Sequence, residues 1–596
     1  MVLVHRLMSP ALLSQTGQDI PKQEYHNRAM TVTEHPKFSR VTHLLEDKRS
    51  ARIVNFVVIP LLVIAALLLP PISIFQRIAD LGTTRITEDG GTISDPDGTQ
   101  VIFLPGTISK PFRATLTAVP RINFLEGSAG KDLLSAAKAI PPQLIVKSPF
   151  YRLDVHGEAP TQSTWVAPIP NDSEPYETLD VYTWDANARS WQWLPHTIIA
   201  EDDQIESHVN AVPSSLMIVQ TNPQPAQISA DIALVSALPA ESQGALAAVN
   251  PTGLFLGANG TLDGALDASF DNLGSAYTVM PVIRNYDGPI VRSDLLANML
   301  VDSDQRAAHI QALVDLAVGN LYQGVEIDYR GLDQNLRGEF SQFIAELAQK
   351  LHTQGKKLTV RVEPPTQVAE DRWDTGPYDW QTLGMLADTV KIPAPMDPQA
   401  FTPGGQVDAL LSFVVGQVDR SKLQLLLSGQ SIEQAGSYLL PKSYADALQP
   451  LLGRIQTDQT VVEPGQPLNL ALVSSRPNSG LVYDPNLGTY VFRYEDDQGN
   501  ARTVWLENAA SLSHKLEILK GYNIQGFTLE HLPADGADAD LWPLMRDYQQ
   551  GLSKPLESNL AVEWTIRSSS GEEISQIRPL TDPSLVVAAP VNPGDL

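Results

Sequence analysis

Residues 53–75, IVNFVVIPLLVIAALLLPPISIF, carry no charged side chain, and Asn55 is their only strongly polar position before Ser73. A run of that length without a polar face at helical spacing predicts a transmembrane helix, long enough for a hydrocarbon layer about 30 Å thick. Between Thr87 and Asn222 the pattern changes to short alternating runs separated by Gly, Pro, Asn and Asp, among them QVIFLPGTI, LIVKSPFYRLDVHG, ETLDVYTWD and SLMIVQTNP. Period-two alternation bounded by turn residues predicts antiparallel strands and a β-sandwich. From Asp231 the text becomes strand, helix, strand, helix. IALVSA, GLFLGA, YTVMPVI, QGVEIDY, KLTVRVEPP, DTVKIPAP, LQLLLSG and QGFTLEHL are eight apolar runs, and stretches such as LRGEFSQFIAELAQKLHTQG between them have helical period. Eight strands alternating with helices predict a (β/α)₈ TIM barrel with its functional residues at the C-terminal strand ends. Past Gly551 the helical period ends; NLAVEWTIRSSSG predicts a terminal hairpin and LVVAAPVNPGDL a flexible tail.

The pattern divides the 596 residues into a tail (1–52), a membrane span (53–75), a β-sandwich region (76–225), a barrel (228–552, with an insertion at about 430–508) and a C-terminal segment (553–596). Charge sharpens that division. Arg6, Lys22, Arg28, Lys37, Arg40, Lys48, Arg49 and Arg52 precede the span, and only Arg77 follows it closely. The positive-inside tendency therefore places the tail in the cytoplasm and the bulk of the chain outside it, as a single-pass signal anchor in a cell membrane, the bacterial surface being the expected setting. Overall, 42 Lys+Arg against 68 Asp+Glu give a net charge of −26. So acidic a chain repels the phosphate backbone, which sets nucleic acid aside as a partner. With no cysteine, disulfides and thiolate metal sites are excluded, and the cores must hold the domains together unaided. His156 and His196 have no second ligand at metal spacing, and neither a metal nor a cofactor is expected. Trp165, Trp184, Trp191 and Trp193 fall in the sandwich region, where they serve either as core or as an exposed platform for sugar rings.

The barrel region carries more specific text. LFLGANGTLDG, GVEIDYRGL, YDWQTLGMLADTVKI, YADALQPLL, LVYDPNLGTYVFRYEDDQGNARTVWLENAASLSHKLEILKGYNIQGFTL and ADLWPLM occur in that order between about Asp231 and Tyr548. They resemble glycoside hydrolase family 18, the chitinase-like barrels, and within it the bacterial spore-cortex and cell-wall type. The resemblance implies a TIM barrel with a small α+β insertion before the eighth strand. It also implies a fourth-strand pattern D-G-x-D-x-D-x-E, whose last residue protonates the leaving sugar oxygen in a substrate-assisted reaction.

This chain departs from that pattern. Its fourth strand reads Gln323-Gly324-Val325-Glu326-Ile327-Asp328-Tyr329-Arg330, so Arg330 stands at the acid position. A guanidinium stays protonated above pH 12 and cannot cycle as a general acid. The tyrosine that the family carries after strand six is replaced in Ile392-Pro393-Ala394-Pro395-Met396-Asp397, and the tryptophan of strand eight is missing from Gly526-Phe527-Thr528-Leu529-Glu530.

Residues two apart on a strand point the same way, so Glu326, Asp328 and Arg330 are expected inside the barrel together. Three readings stand. The trio is an ion-pair network closing a former active site; or Glu326 and Asp328 accept sugar hydroxyls beside a rim aromatic, Tyr286, Trp373 or Trp380; or replacement carboxylates, Glu363, Asp397 and Glu530, converge on a new catalytic centre. The expected function is a membrane-anchored pseudoenzyme that binds cell-wall or N-acetylglucosamine-type glycan or acts as a scaffold for a surface protein. The alternative is an active glycosidase on chitin or peptidoglycan.

Overall fold

The computed structural model describes residues 83–589 apart from 236–237, 274–276, 370–371, 452, 475–480, 533–539, 558–561, 568–572 and 581–583. The apolar run 53–75, read as a membrane anchor, and the basic segment 1–52 lie outside the described residues. Among those described, no helix is long and apolar enough to cross a membrane.

Two antiparallel sheets form the first layer pair. One has seven strands, with Phe112–Val119, Phe150–His156, Ser215–Thr221 and Leu179–Asp185 at its centre; the other has five, with Gln204–Val209, Ser163–Pro168 and Gln100–Phe103 at its centre. Phe112, Tyr151 and Ile218 from the first sheet meet Phe103, Trp165 and Ile205 from the second in one apolar cluster. The hairpin between Gly91–Ser94 and Gln100–Phe103 turns at Asp97-Gly98, where the positive φ of Gly98 is the conformation the turn demands. The tryptophans pack. Trp165 is fully buried, while Trp184, Trp191 and Trp193 cover the outer face of the larger sheet with Phe124, Phe150 and Met217. Trp191 Nε1 donates to the Ala136 carbonyl at 3.0 Å, Trp193 Nε1 donates to Asp180 at 3.1 Å, and the rings of Trp184 and Trp191 meet at 55°. These are the commitments of core rings and not of a coplanar sugar platform.

Eight parallel strands close the barrel: Gln227–Ile232; Ala248–Pro251 with Leu254–Leu256; Thr278–Val279 with Val282–Arg284; Gly324–Asp328; Lys357–Arg361; Thr389–Pro393; Leu423–Ser428; Gly526–Glu530. The ring is complete because the eighth strand pairs with both the seventh and the first. At two of these seams the backbones approach too closely for any Cβ: a side chain on Gly324 would strike the Lys357 carbonyl, and one on Gly526 the Gln227 carbonyl. The first strand starts four residues before Asp231, because the alternating QISADI, and not the more apolar IALVSA, lies in register with Gly526. Helices follow strands three to eight, the longest being Ser303–Gly319 and Arg337–Thr353; among the described residues the first two connections carry 3₁₀ turns, and the second also the short strand Leu262–Gly264, but no α-helix. The insertion after strand seven holds a five-stranded antiparallel sheet and the short helix Tyr444–Leu448. The C-terminal segment differs from expectation. After the hairpin Val562–Arg567 with Glu573–Leu580, Ser584–Ala588 is a strand and not a flexible tail: it pairs with Pro467–Ser474 of the insertion and buries Leu585.

The antiparallel layers pack on the base of the barrel, away from the C-terminal strand ends. Arg420, which precedes strand seven and is 1% exposed, donates to Asp180 Oδ2 at 2.6 Å and to the carbonyls of Leu179, Glu177 and Tyr522 at 2.9, 2.9 and 2.5 Å. Asn523 donates to the Thr221 carbonyl, and the His196 amide donates to Gly416. Asp180 is itself fully buried, so Arg420→Ala strands a carboxylate in the interface. Denaturant titration should show a loss of about 3–5 kcal/mol; a loss under about 1 kcal/mol would contradict this reading.

A second buried group couples the fold to pH. His309, on the helix Ser303–Gly319, lies between the Gly260 carbonyl at 3.0 Å and the Tyr329 hydroxyl at 2.5 Å. Burial outweighs its bond to Gly260 and lowers its pKa from 6.5 to about 4. Between those values the unfolded chain binds more protons than the fold, so stability should fall as pH drops from about 6.5 to 4, by up to about 3 kcal/mol from this residue. Thermal melts across that range should show the loss, and His309→Gln should flatten it; an unchanged slope in the variant would refute the assignment.

Candidate functional site

The C-terminal ends of strands three, four, five, six and eight converge on a cluster of charge. Period-two alternation sends Arg284, Glu326, Asp328, Arg361 and Lys391 inward from strands whose other face packs against helices. Arg361 is the hub. It is 2% exposed, and its guanidinium reaches Glu326 through Nε, Glu530 at 2.9 Å through Nη1, and Asp231 at 2.6 Å through Nη2. Below it, Lys391 Nζ donates to Glu326 Oε2 at 2.6 Å, to Asn250 at 3.1 Å and to Ser229 at 3.3 Å, which uses all three ammonium hydrogens. Above it, Asp328 accepts from the Tyr286 hydroxyl at 2.5 Å and from Arg330 Nε at 3.2 Å and Nη2 at 3.3 Å, while Arg284 Nε lies 3.4 Å away. Arg284 also donates to Asp231 at 3.0 Å. Four carboxylates, Asp231, Glu326, Asp328 and Glu530, thus meet four cations, Arg284, Arg330, Arg361 and Lys391.

Protonation states follow from these contacts. Burial works to raise the Asp328 carboxyl, but Arg361, Arg330, the Tyr286 hydroxyl and Arg284 together hold it below the ordinary carboxylate range. Burial, with the charge of Asp328 added, pushes the Tyr286 phenol up, so it remains a donor. Burial lowers Arg330, yet Asp328 and Tyr286 more than reverse this and leave it above the usual guanidinium value. Lys391 moves the other way, lowered first by burial and then by Arg361, with Glu326 opposing.

The residues singled out in the sequence fall into different places. Glu326 is fully buried and both its oxygens are taken by Arg361 and Lys391, so it offers none to a sugar hydroxyl, contrary to expectation. Asp328 is 3% exposed. Arg330 sits at the mouth with its guanidinium 4.1 Å over the Tyr286 ring, and Arg284 lies 5.4 Å from the same ring. Trp380 is 1% exposed and belongs to the core; it cannot stack on a ligand from the rim. Trp373 is half-buried and stacks on Phe413 at 5.7 Å. Asp397 caps the 3₁₀ turn Pro398–Phe401 by accepting from the Gln399 amide at 2.9 Å, a role in local structure. Glu530 is tied to Arg361. Glu363, just past strand five, accepts from the Tyr378 hydroxyl at 3.0 Å and from the Gly331 amide at 3.3 Å, both on the same oxygen, which places it beside Arg330.

Asp231, Arg284, Arg361, Lys391 and Tyr378 were not singled out from the sequence. The signal was there for four of them: a lone charged residue inside an apolar strand run, as in SADIALV, PVIRNY, LTVRV and TVKIPA. At the opposite end of the barrel a cavity of about 430 Å³ is lined by Ser229, Asn250, Lys391, Gln424 and Gln525, and so touches the network from below.

No family model matches the chain. The cortical fragment-lytic enzyme of Bacillus subtilis is 22% identical over 258 residues, 42% of this chain and 56% of that protein. The uncharacterized glycosylase YvbX of Bacillus subtilis is 22% identical over 258 residues, 42% of this chain and 69% of that protein. The chain therefore spans little more than half the length of the first of these relatives. Among solved structures, a chitinase from Chromobacterium violaceum ATCC 12472 covers 55% of this chain and 99% of its own, with 22% identity and a TM-score of 0.42. The relatives are named as a cortical fragment-lytic enzyme and a glycosylase, and the closed ring of eight parallel strands defines a (β/α)₈ barrel in its own right.

The network yields a stability test. Arg361→Met leaves Glu326 and Asp231 without their shared cation inside the barrel, and the unfolding free energy should drop by about 3–5 kcal/mol in a urea titration. An unchanged midpoint would mean that the hub does not hold the floor.

Proposed function

We propose that this protein binds a cell-wall glycan without cleaving it, its chitinase-like barrel having exchanged the proton donor for an arginine. One observation carries the reading: Arg330, two residues after Asp328, is ion-paired to that aspartate through Nε and Nη2 and lies over Tyr286. A leaving sugar oxygen must receive a proton in the transition state, and a guanidinium held above its ordinary value does not give one up near neutrality. A substrate of glycan type is supported by the names of the relatives, a cortical fragment-lytic enzyme and a glycosylase. In this reading the uncharged run 53–75 anchors the chain in the cell membrane with residues 1–52 cytoplasmic, the antiparallel layers act as a stand, and the barrel mouth points away from them.

A second reading, catalysis by a replacement carboxylate, has one observation in its favour: Glu363 is held beside Arg330 by Tyr378 and Gly331. Glu530 and Asp397 do not support it, since Arg361 and a helix cap engage them.

Calorimetry and a reducing-end assay on chitin oligosaccharides and purified peptidoglycan separate the readings. Saturable binding without release of reducing ends is expected, and Arg330→Glu should restore little turnover, because the strand-six tyrosine and strand-eight tryptophan positions are altered too. Reducing-end release that vanishes in Glu363→Gln would overturn the proposal in favour of hydrolysis; absence of any saturable binding would leave a scaffold role.

A further inference from the structure

The mouth of the site carries exposed guanidinium groups beside Glu530, whose side chain is 24% exposed. Asp328 and Asp231 have side chains only 4% and 8% exposed, whereas the guanidinium groups that cover them, Arg330 and Arg284, are 39% and 21% exposed. Each arginine spends part of its donor set on these acids and keeps the rest. Arg330 bonds Asp328 through Nε and Nη2, and its Nη1 has no acceptor among the described residues. Arg284 bonds Asp231 through Nη2 alone; its Nη1 has no acceptor among the described residues, and its buried Nε makes no hydrogen bond. Both heads lie against one ring, Tyr286, whose hydroxyl is fixed by Asp328. The ring and the buried carboxylates therefore set two guanidinium edges at a common place on the mouth. The two other acids near the opening are each held through one oxygen: Glu530 on strand eight by Arg361, and Glu363 by Tyr378 and the Gly331 amide.

A planar, permanently charged fork with unused N–H groups selects carboxylate or phosphate over hydroxyl, since charge-assisted bonds are about twice as strong as neutral ones. We propose, building on the glycan-binding reading, that the ligand is an acidic glycan whose carboxylate is received by Arg330 and Arg284 over Tyr286. A neutral chitin-type chain then lacks the group that the mouth is built to hold, while a wall glycan bearing lactyl carboxylates supplies it. The former acid position thus becomes the specificity determinant: the side chain that removes hydrolysis also reads the charge of the ligand.

Three tetrasaccharides test this by calorimetry on the intact protein: chitotetraose, the alternating N-acetylglucosamine and N-acetylmuramic acid tetrasaccharide, and the latter with its carboxylates methyl-esterified. The free acid should bind about tenfold or more tightly than the other two, as one charge-assisted contact implies. Arg330→Gln should bring the ratio of acid to ester affinity toward one, and Arg330→Lys should keep part of it. Equal affinity for acid and ester in the parent protein would overturn the inference and leave glycan binding intact. Binding of none of the three would overturn both readings, and a ratio unaltered by Arg330→Gln would remove Arg330 from the role.

Discussion

Carboxylates inside a barrel are tolerated only when cations and hydrogen bonds replace the water they lose, and Arg361 is the group on which that replacement turns. Its three nitrogens span Glu326 on strand four, Glu530 on strand eight and Asp231 on strand one. Lys391 closes the network from below, and Arg284 and Arg330 close it from above, so each buried acid has a cation within contact distance. The consequence reaches beyond stability. Saturated carboxylates cannot exchange protons with a ligand, and the arrangement makes the interior of the barrel electrostatically closed while its outermost arginines keep donors for the mouth.

A comparable constraint operates at the other end of the barrel. Arg420 binds Asp180 and three carbonyls at the junction of the barrel base with the antiparallel layers, and all of these donors and acceptors are lost to water. The junction involves the segments before strands seven and eight and leaves the C-terminal strand ends uncovered by the layers.

Much of this architecture was legible from residue order, for identifiable reasons. Parallel strands packed on both faces read as continuous apolar runs, which is why QGVEIDY, KLTVRVEPP and LQLLLSG stood out. The first strand was misplaced because IALVSA is more apolar than QISADI, although register with Gly526 decides the matter and register is not visible locally. The terminal strand Ser584–Ala588 depends on pairing with Pro467–Ser474, a contact more than a hundred residues away in the chain. At the site, Arg330 was singled out by comparison with the fourth-strand pattern that the family resemblance implies. What spacing could not show was partnership: that Glu326 is consumed by Arg361 and Lys391, that Trp380 lies in the core, and that Asp397 is a helix cap. Lone charges within apolar strand runs were the overlooked clue, since in a closed barrel such residues must face inward and must find one another.

The central claim is that no protonated carboxyl serves a bound glycan in this barrel. A crystal structure of the protein soaked with an N-acetylglucosamine oligosaccharide tests it most directly. The account predicts an unbroken sugar chain in the mouth, Arg330 still paired with Asp328, and no carboxyl oxygen within hydrogen-bond distance of a glycosidic oxygen. A cleaved chain, or Glu363 hydrogen-bonded to the glycosidic oxygen, would contradict it.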